Sequence, residues 1–196
     1  KVFAEVVKKG GVVAGFAAPG CSSYSRSQLD NLTDFAKNLG AGGLVWMRVT
    51  ENGAETPVEK FLGKEVVNSI TQKMNVKVGD LILIISDVYA KAYNLLGSLR
   101  LEIAKRLNII DNNKYNLLWV TDFPMFEYDE NDKRYVAVHH PFTSPNLEDL
   151  ELLDSDPSKA RARAYDLVLN GNEIAGGSVR IHDRNLQSKV FTLLGI

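Results

Sequence analysis

Alternation of apolar and polar residues predicts β-structure at three places in the first half of the chain. Residues 1–19 alternate in this way, with a turn at Gly10-Gly11 and a stop at Pro19-Gly20. A second strand is predicted over Gly43–Val49, "GLVWMRV", which is rich in β-branched and aromatic residues. A third, the fully apolar "LILIIS", follows the turn at Gly79-Asp80.

Helical spacing of apolar residues separates these strands. Ser25 and Gln28 form a capping-box signature at the start of the first predicted helix. "TPVE" predicts the start of a second helix, with Thr56 as its N-cap and a break at Gly63. A third helix is predicted over residues 89–107. The first half therefore has the order β, α, β, α, β, α.

The pattern changes near residue 108, where we place a domain boundary. "NLLWVTDFPMFEYDENDKRYVAVHH" predicts two strands joined by the turn "DENDK", and hence a hairpin. A helix is predicted next, with Asp156 as N-cap, Pro157 at its first position and Gly171 after its end. The strand "NEIAGGSVRIH" and a final helix, "DRNLQSKVFTLLGI", follow. We therefore predict two domains, residues 1–107 and 108–196.

Composition and charge narrow the class of protein. The 196 residues are 45% hydrophobic and 24% charged, with a net charge of −1, which is ordinary for a globular protein and gives no electrostatic case for nucleic-acid or membrane binding as the main role. A single cysteine, Cys21, excludes an internal disulfide and fits a reducing cytoplasm. No apolar run approaches the ~18 residues of a membrane span. Because the chain starts at Lys1 without methionine, and stops within a predicted helix, we expect a piece of a larger protein.

The strand "EIAGGSVRIH" carries an acid and an arginine among apolar residues and glycines. One interpretation is an exposed edge strand whose Glu173 and Arg180 face water. The other is a ligand-facing strand, with Glu173 for a cation and Arg180 for a carboxylate or phosphate, because a guanidinium binds such groups through two parallel hydrogen bonds. The two residues are seven apart and would face opposite sides of a regular strand. The second interpretation therefore requires a bulge or bend at Gly176-Gly177.

Two of the three histidines, His139 and His140, are adjacent at the end of an apolar run. Adjacent residues of a regular strand point in opposite directions, so both cannot bind one ligand there. A zinc site needs three or four convergent ligands, and one distant cysteine without a spaced histidine pair argues against it. Pro141 removes a backbone donor and ends the strand. Structural and substrate-contacting roles both stay open for the pair.

Three other polar positions have structural interpretations. Asp122 interrupts an apolar strand and is interpreted as a cap for backbone donors. Cys21 has no neighbouring base and is interpreted as inert. "RARAYD", which includes Asp166, is interpreted as a solvated helix face. "FAAPGCSSYSRSQ" matches no phosphate-loop spacing and predicts a turn.

Several segments, in order, resemble bacterial-type aspartyl-tRNA synthetase. They are "LWVTDFPMFE", "HHPFTSP", "AYDLVLNGNEIAGGSVRIHD" and "VFTLLGI", which cover nearly all of residues 117–196. The upstream part, through "GSLRLEIAKRLNI", resembles the small α+β domain inserted in that enzyme. The resemblance implies an α+β fold: the inserted domain, followed by part of the antiparallel class II catalytic sheet with its helices.

The resemblance also implies a reaction and a site. The family forms aspartyl-adenylate from ATP and L-aspartate and then transfers the aspartyl group to tRNA, without a protein nucleophile. By the resemblance, Arg180 holds the side-chain carboxylate of aspartate and His139 lies at the aspartate. Glu173 holds Mg²⁺ on the ATP phosphates, and His140 is a neighbour of the site.

The family's motifs 1, 2 and 3 have no counterpart here, so we expect the isolated chain to be inactive. The resemblance also implies that the parent protein is a cytoplasmic homodimer. The parent would charge the aspartate tRNA, the asparagine tRNA being an open possibility. One alternative is a non-catalytic tRNA-binding module related to an amidotransferase subunit, which shares the inserted domain. Another is a metal-dependent hydrolase that uses His139, His140 and Glu173.

Overall fold

The computed structural model describes residues 2–196 and divides them into two compact units. The first unit ends at Ile110, and the second runs from Asp111 to Ile196. Both are α+β, and their sheets are antiparallel. Of the helices formed by residues 2–196, none is both long and apolar enough to cross a bilayer.

The first unit is built on a four-stranded antiparallel sheet with the order β1-β4-β2-β3. Its strands are β1 (Val12–Ala18), β2 (Val45–Thr50), β3 (Gly53–Glu55) and β4 (Leu81–Asp87). The predicted apolar strand is β4, which pairs with β1 on one side and β2 on the other. Alternate residues of β4 lie in two different cores. One core contains Leu81, Leu83 and Ile85, and the other contains Ile82 and Ile84. The sheet is therefore covered on both faces there, which explains why the buried residues of β4, Leu81–Ile85, are all apolar.

Five helices belong to this unit: α1 (Val2–Lys8), α2 (Arg26–Asn38), α3 (Glu59–Leu62), α4 (Lys64–Lys73) and α5 (Tyr89–Arg106). The capping box of α2 is confirmed, because the Gln28 amide donates to Ser25 Oγ and Gln28 Oε1 accepts from the Ser25 amide. The break at Gly63 is also confirmed: this residue has a φ of 85° and separates α3 from α4.

Two predictions in this unit are wrong. Residues 2–8 form a helix rather than a strand, and Lys1 lies outside the described residues. Phe3 and Val6 are three apart, a spacing that suits one face of a helix and not one face of a strand. Phe3 packs against the core that contains Ile82 and Ile84. Thr56 does not cap a helix, because α3 begins at Glu59 and the Thr56 hydroxyl donates to the Trp46 carbonyl at 2.7 Å.

The second unit has a three-stranded antiparallel sheet and a separate hairpin. The sheet has the order β5-β8-β9, and β6 pairs with β7 across the predicted turn. The first strand predicted for that hairpin is wrong in part, because it divides into β5 and β6, which belong to different sheets. The strands are β5 (Leu117–Thr121), β6 (Phe126–Asp129), β7 (Arg134–Ala137), β8 (Ala164–Leu169) and β9 (Asn172–Ser178). The helices are α6 (Leu152–Ser155) and α7 (Arg184–Leu194), with short 3₁₀ turns at Leu147–Asp149 and Pro157–Lys159. The core lies between the hairpin, α6 and α7, and includes Met125, Phe126, Leu153, Val190 and Leu194.

The prediction of a helix after Asp156 is wrong. Pro157 starts only a single 3₁₀ turn, and "AYDLVL" forms strand β8. Asn170 and Gly171 have φ values of 50° and 83°, so they form the two-residue turn of a β-hairpin rather than the end of a helix. Pairing of β8 with both β5 and β9 outweighs its local helix signal.

Candidate functional site

Two carboxylates converge over Gly176 on one face of the three-stranded sheet. A Cβ atom added at Gly176 would lie 2.5 Å from Asp166 Oδ1 and 3.2 Å from Glu173 Oε1. Asp166 pairs directly with Gly176 across β8 and β9. The absence of a side chain at Gly176 thus leaves room for both carboxylates, and the sequence-based interpretation of Asp166 as part of a helix face is wrong.

A bulge in β9 brings Glu173 to this face. Val168 pairs with Glu173 and Leu167 with Ala175, so Ile174 is the extra residue. An irregularity at Gly176-Gly177 was predicted from the sequence if Glu173 and Arg180 share a face; the structure has it at Ile174 instead. The bulge offsets the odd spacing of seven residues between Glu173 and Arg180.

Gly177 makes room on the opposite face of the sheet. A Cβ atom there would lie 2.9 Å from the Tyr165 hydroxyl and 3.1 Å from its ring. Tyr165 also packs edge-on against Trp119, with 5.9 Å between ring centroids. Each glycine of the pair therefore accommodates a large or charged side chain of β8, which explains two glycines within a strand.

Arg180 lies just beyond the end of β9, where the chain continues in an extended conformation. It forms an isolated antiparallel bridge with Thr143, and paired residues share a face. The Thr143 hydroxyl donates to Ser178 Oγ at 3.2 Å, so Ser178 lies on that face too. Alternation from Gly176 through Ser178 then places Arg180 on the face that carries Asp166 and Glu173. Arg180 and Glu173 are both exposed.

The two histidines lie in a turn rather than in a strand, because β7 ends at Ala137. The alternation that was expected to separate them therefore does not apply. His139 packs edge-on against the Phe123 ring, with 4.6 Å between centroids. The His140 carbonyl accepts from the Thr143 amide at 2.9 Å. His140 Nδ1 accepts from the Phe142 amide at 3.2 Å, so this side chain stabilises the turn.

This turn is hydrogen-bonded to the segment that follows β9 and to α7. The Ile181 amide donates to the Phe142 carbonyl at 2.9 Å, and the Gln187 side chain on α7 donates from Nε2 to the Pro141 carbonyl at 3.0 Å. The structure thus brings the histidine turn next to Arg180, through Thr143 and Phe142. It brings Glu173 together with Asp166, which the sequence did not single out for chemistry.

Arg161 lies at the centre of a charged cluster that was not predicted from the sequence. Arg161 donates from Nε and Nη2 to the two carboxylate oxygens of Asp149, at 2.8 and 2.9 Å, and its backbone amide donates at 2.9 Å. Glu148 and Asp122 lie 3.2 and 3.6 Å from the guanidinium. The hydrogen bonds from Arg161 hold the pKa of the buried Asp149 carboxyl below its usual value. Asp149 and Arg161 are 12 residues apart, and this spacing belongs to no local motif from which their contact could be predicted.

Asp122, interpreted from the sequence as a cap, ends β5 in the left-handed region with a φ of 58°. Its carboxylate accepts from the Thr121 hydroxyl at 3.1 Å and faces Arg161. The chain therefore turns sharply at Asp122, and the Arg161 cluster joins this turn to the segment that follows the histidines.

The carboxylates of Asp166 and Glu173 suit a hard cation that takes its remaining ligands from a bound substrate. Among residues 2–196, no group of three or more histidine, cysteine or acidic side chains is placed to hold a metal by itself. Asp166 and Glu173 offer carboxylate oxygens, which Mg²⁺ prefers, and Mg²⁺ commonly takes one or two carboxylates together with substrate phosphates.

The chain is similar to known proteins along its whole length. Residues 3–96 match the GAD domain family. An aspartate–tRNA(Asp/Asn) ligase of Caldanaerobacter subterraneus subsp. tengcongensis is 52% identical over 194 residues, 99% of this chain and 33% of that protein. The corresponding ligase of Moorella thermoacetica is 52% identical over 195 residues, 100% of this chain and 32% of that protein. An aspartate–tRNA ligase of Clostridium novyi is 48% identical over 196 residues, 100% of this chain and 33% of that protein. The chain spans about a third of the length of these curated relatives.

Proposed function

We propose, since this chain belongs to the family of bacterial aspartate–tRNA ligases, that it contributes substrate-binding groups to an enzyme that joins L-aspartate to tRNA. The observation that carries the proposal for the site is the convergence of Asp166 and Glu173 over Gly176, with Arg180 on the same face. Identity of about 50% through both units favours a ligase over a tRNA-binding module that shares only the GAD domain. The tRNA partner and a cytoplasmic location are part of this proposal.

The proposed chemistry needs positioning and charge neutralisation. The aspartate α-carboxylate attacks the α-phosphorus of ATP, and pyrophosphate leaves to give aspartyl-adenylate. A ribose hydroxyl of tRNA then attacks the aspartyl carbonyl, and AMP leaves. We assign Arg180 to the side-chain carboxylate of aspartate, because its fork donates two charge-assisted hydrogen bonds and discriminates against an amide. His139, fixed against Phe123, is assigned to the same substrate.

Asp166 and Glu173 would hold Mg²⁺ together with the ATP phosphates. When bound, this ion would neutralise phosphate charge as the pyrophosphate departs. The role of the chain is to keep both carboxylates on one face, which the bulge at Ile174 and the bare Gly176 achieve. His140 is assigned to the turn and not to a substrate, because its Nδ1 accepts a backbone hydrogen bond.

Replacement of Arg180 tests the aspartate assignment. In the full-length ligase that we propose, Arg180→Ala should raise the KM for aspartate roughly tenfold or more while the KM for ATP changes little, because a charged hydrogen-bonding pair is lost. Pyrophosphate exchange at varied aspartate and ATP measures both constants. Arg184→Ala, which removes another exposed arginine, is the control. An unchanged KM for aspartate would show that Arg180 does not bind this substrate.

The carboxylate pair is tested through the Mg²⁺ dependence. Asp166→Asn and Glu173→Gln should each raise the Mg²⁺ concentration needed for half-maximal exchange, because each removes one anionic ligand. Glu127→Gln, which neutralises an exposed acid on the separate hairpin, should leave it unchanged. If neither site variant shifts the Mg²⁺ dependence, the metal assignment is wrong, although the ligase assignment is not affected.

The 196-residue chain should form no aspartyl-adenylate by itself. The resemblance places the arginines that bind ATP in motifs outside this sequence, so the α-phosphate would lack its main cations. Pyrophosphate exchange with the purified chain, compared with the full-length ligase, measures this. Robust exchange by the chain alone contradicts the prediction.

A further inference from the structure

The side chain of Asn170 joins the tip of the β8–β9 hairpin to the segment that enters β5. Asn170 Nδ2 donates to the Lys114 carbonyl at 2.7 Å, and its Oδ1 accepts from the Asn116 amide at 2.9 Å. The Asn170 amide donates to the Asn116 carbonyl at 3.0 Å. One residue thus extends the pairing between β8 and β5 beyond Leu117.

These hydrogen bonds need an amide and not merely a polar side chain. The amide presents a donor to one backbone carbonyl and an acceptor to one backbone N–H, as a strand does. A carboxylate would place an oxygen against the Lys114 carbonyl and lose that hydrogen bond. The backbone also favours asparagine, because its φ of 50° lies in the left-handed region that asparagine tolerates better than most residues.

The position of this link relates it to the carboxylate pair. Glu173 lies three residues after Asn170, between the hairpin tip and the bulge at Ile174. Asp166 lies on β8, which is hydrogen-bonded to β5 along one side and to β9 along the other. The strand register at the tip therefore determines where both carboxylates lie relative to Gly176.

We propose that Asn170 is a positioning residue for the Asp166–Glu173 pair: its amide fixes β5, β8 and β9 at the hairpin tip and so sets the geometry offered to Mg²⁺ and ATP phosphates. This inference rests on the proposed function for its readout in the enzyme. Its structural part, the link between the tip and the segment before β5, can be measured on this chain alone.

Two variants separate the amide from the backbone. Asn170→Asp keeps the size and removes the donor. Asn170→Gly removes the whole amide but accepts the positive φ. Asn172→Asp is the matched control, because it adds the same charge to the same hairpin, while the Asn172 side chain makes only a 3.4 Å contact with the Asn170 carbonyl.

Hydrogen exchange on the chain and Mg²⁺ titration of the full-length ligase give the two readouts. In both Asn170 variants, the backbone amide hydrogens of residues 116–121 should exchange faster than in the wild type. Both variants should also raise the half-saturating Mg²⁺ concentration roughly tenfold, as loss of a group that orients metal ligands does. The KM for aspartate should change much less. Asn172→Asp should change neither readout.

Unchanged exchange in both Asn170 variants would show that the link does not hold β5, and would overturn the proposal. Faster exchange with an unchanged Mg²⁺ dependence would overturn the positioning role and leave a purely structural one. A wild-type full-length protein that charges no tRNA would instead count against the proposed function, and the exchange data would still report on the link.

Discussion

At the scale of single residues, Cys21 illustrates how burial controls reactivity. Its side chain is fully buried, and its thiol donates to the Pro19 carbonyl. Burial raises the pKa of the Cys21 thiol, which disfavours the nucleophilic thiolate. We therefore predict that a thiol reagent such as Ellman's reagent labels the native chain very slowly and the urea-unfolded chain stoichiometrically. Fast labelling under native conditions would contradict this burial.

The Asp149–Arg161 pair should make stability depend on pH. Since the folded-state pKa of Asp149 is lowered, its contribution is present above the unfolded pKa of about 3.9 and is lost as the pH falls through the folded pKa. Asp149→Asn should therefore destabilise the second unit at pH 7, and the difference from wild type should shrink below about pH 4.

Urea unfolding at several pH values measures this difference. Asp154→Asn is the control, because its ion pair with Lys189 lies at the surface and should contribute little. A difference that is constant from pH 7 to pH 3 would show that Asp149 acts only through packing.

At the scale of elements, β1 and β4 approach so closely that only glycine fits at one position. A Cβ atom at Gly15 would collide with the Leu83 carbonyl and lie 3.0 Å from Ile84 Cγ1. Gly15→Ala should therefore destabilise the first unit by roughly 1–3 kcal/mol, the range for overpacking. Gly42→Ala, where nothing lies within 4 Å, should change little. Thermal unfolding monitored by circular dichroism compares them, and equal stabilities would contradict this close approach of β1 to β4.

The elements also show which features can be predicted from sequence. The Ser25 capping box, the break at Gly63 and the apolar β4 follow from local chemistry and were predicted correctly. Strand β8 was not predicted, because its identity depends on pairing with β9 across a two-residue turn and with β5, which is distant along the chain. For the same reason Asp166 was missed: its proximity to Glu173 exists only once the two strands are in register.

At the scale of the whole molecule, the three-stranded sheet is unusually exposed. Leu118 and Trp119 face opposite sides of β5, yet they are 52% and 61% exposed. With every other tryptophan replaced by phenylalanine, which in this chain is the single change Trp46→Phe, the fluorescence reports on Trp119 alone. We predict strong quenching of this fluorescence by acrylamide in this chain, and weaker quenching in the full-length ligase that we propose, because its other segments would cover the sheet. Equal quenching in both would contradict such cover.

The two units should also differ in stability when separated. In the first, both faces of the sheet are covered and β4 is buried along most of its length. In the second, Ala164 is the one residue that the three-stranded sheet contributes to the core formed by the described residues. A polypeptide of residues 1–110 should therefore fold alone and unfold cooperatively, since its core does not require the other unit.

A polypeptide of residues 111–196 should be the less stable of the two, because the apolar side chains of β5 stay in contact with water. Calorimetry of the 196-residue chain should then show two transitions, and the one at higher temperature should match the isolated residues 1–110. A single transition, together with an unfolded 1–110 polypeptide, would show that the first unit depends on the second for its stability.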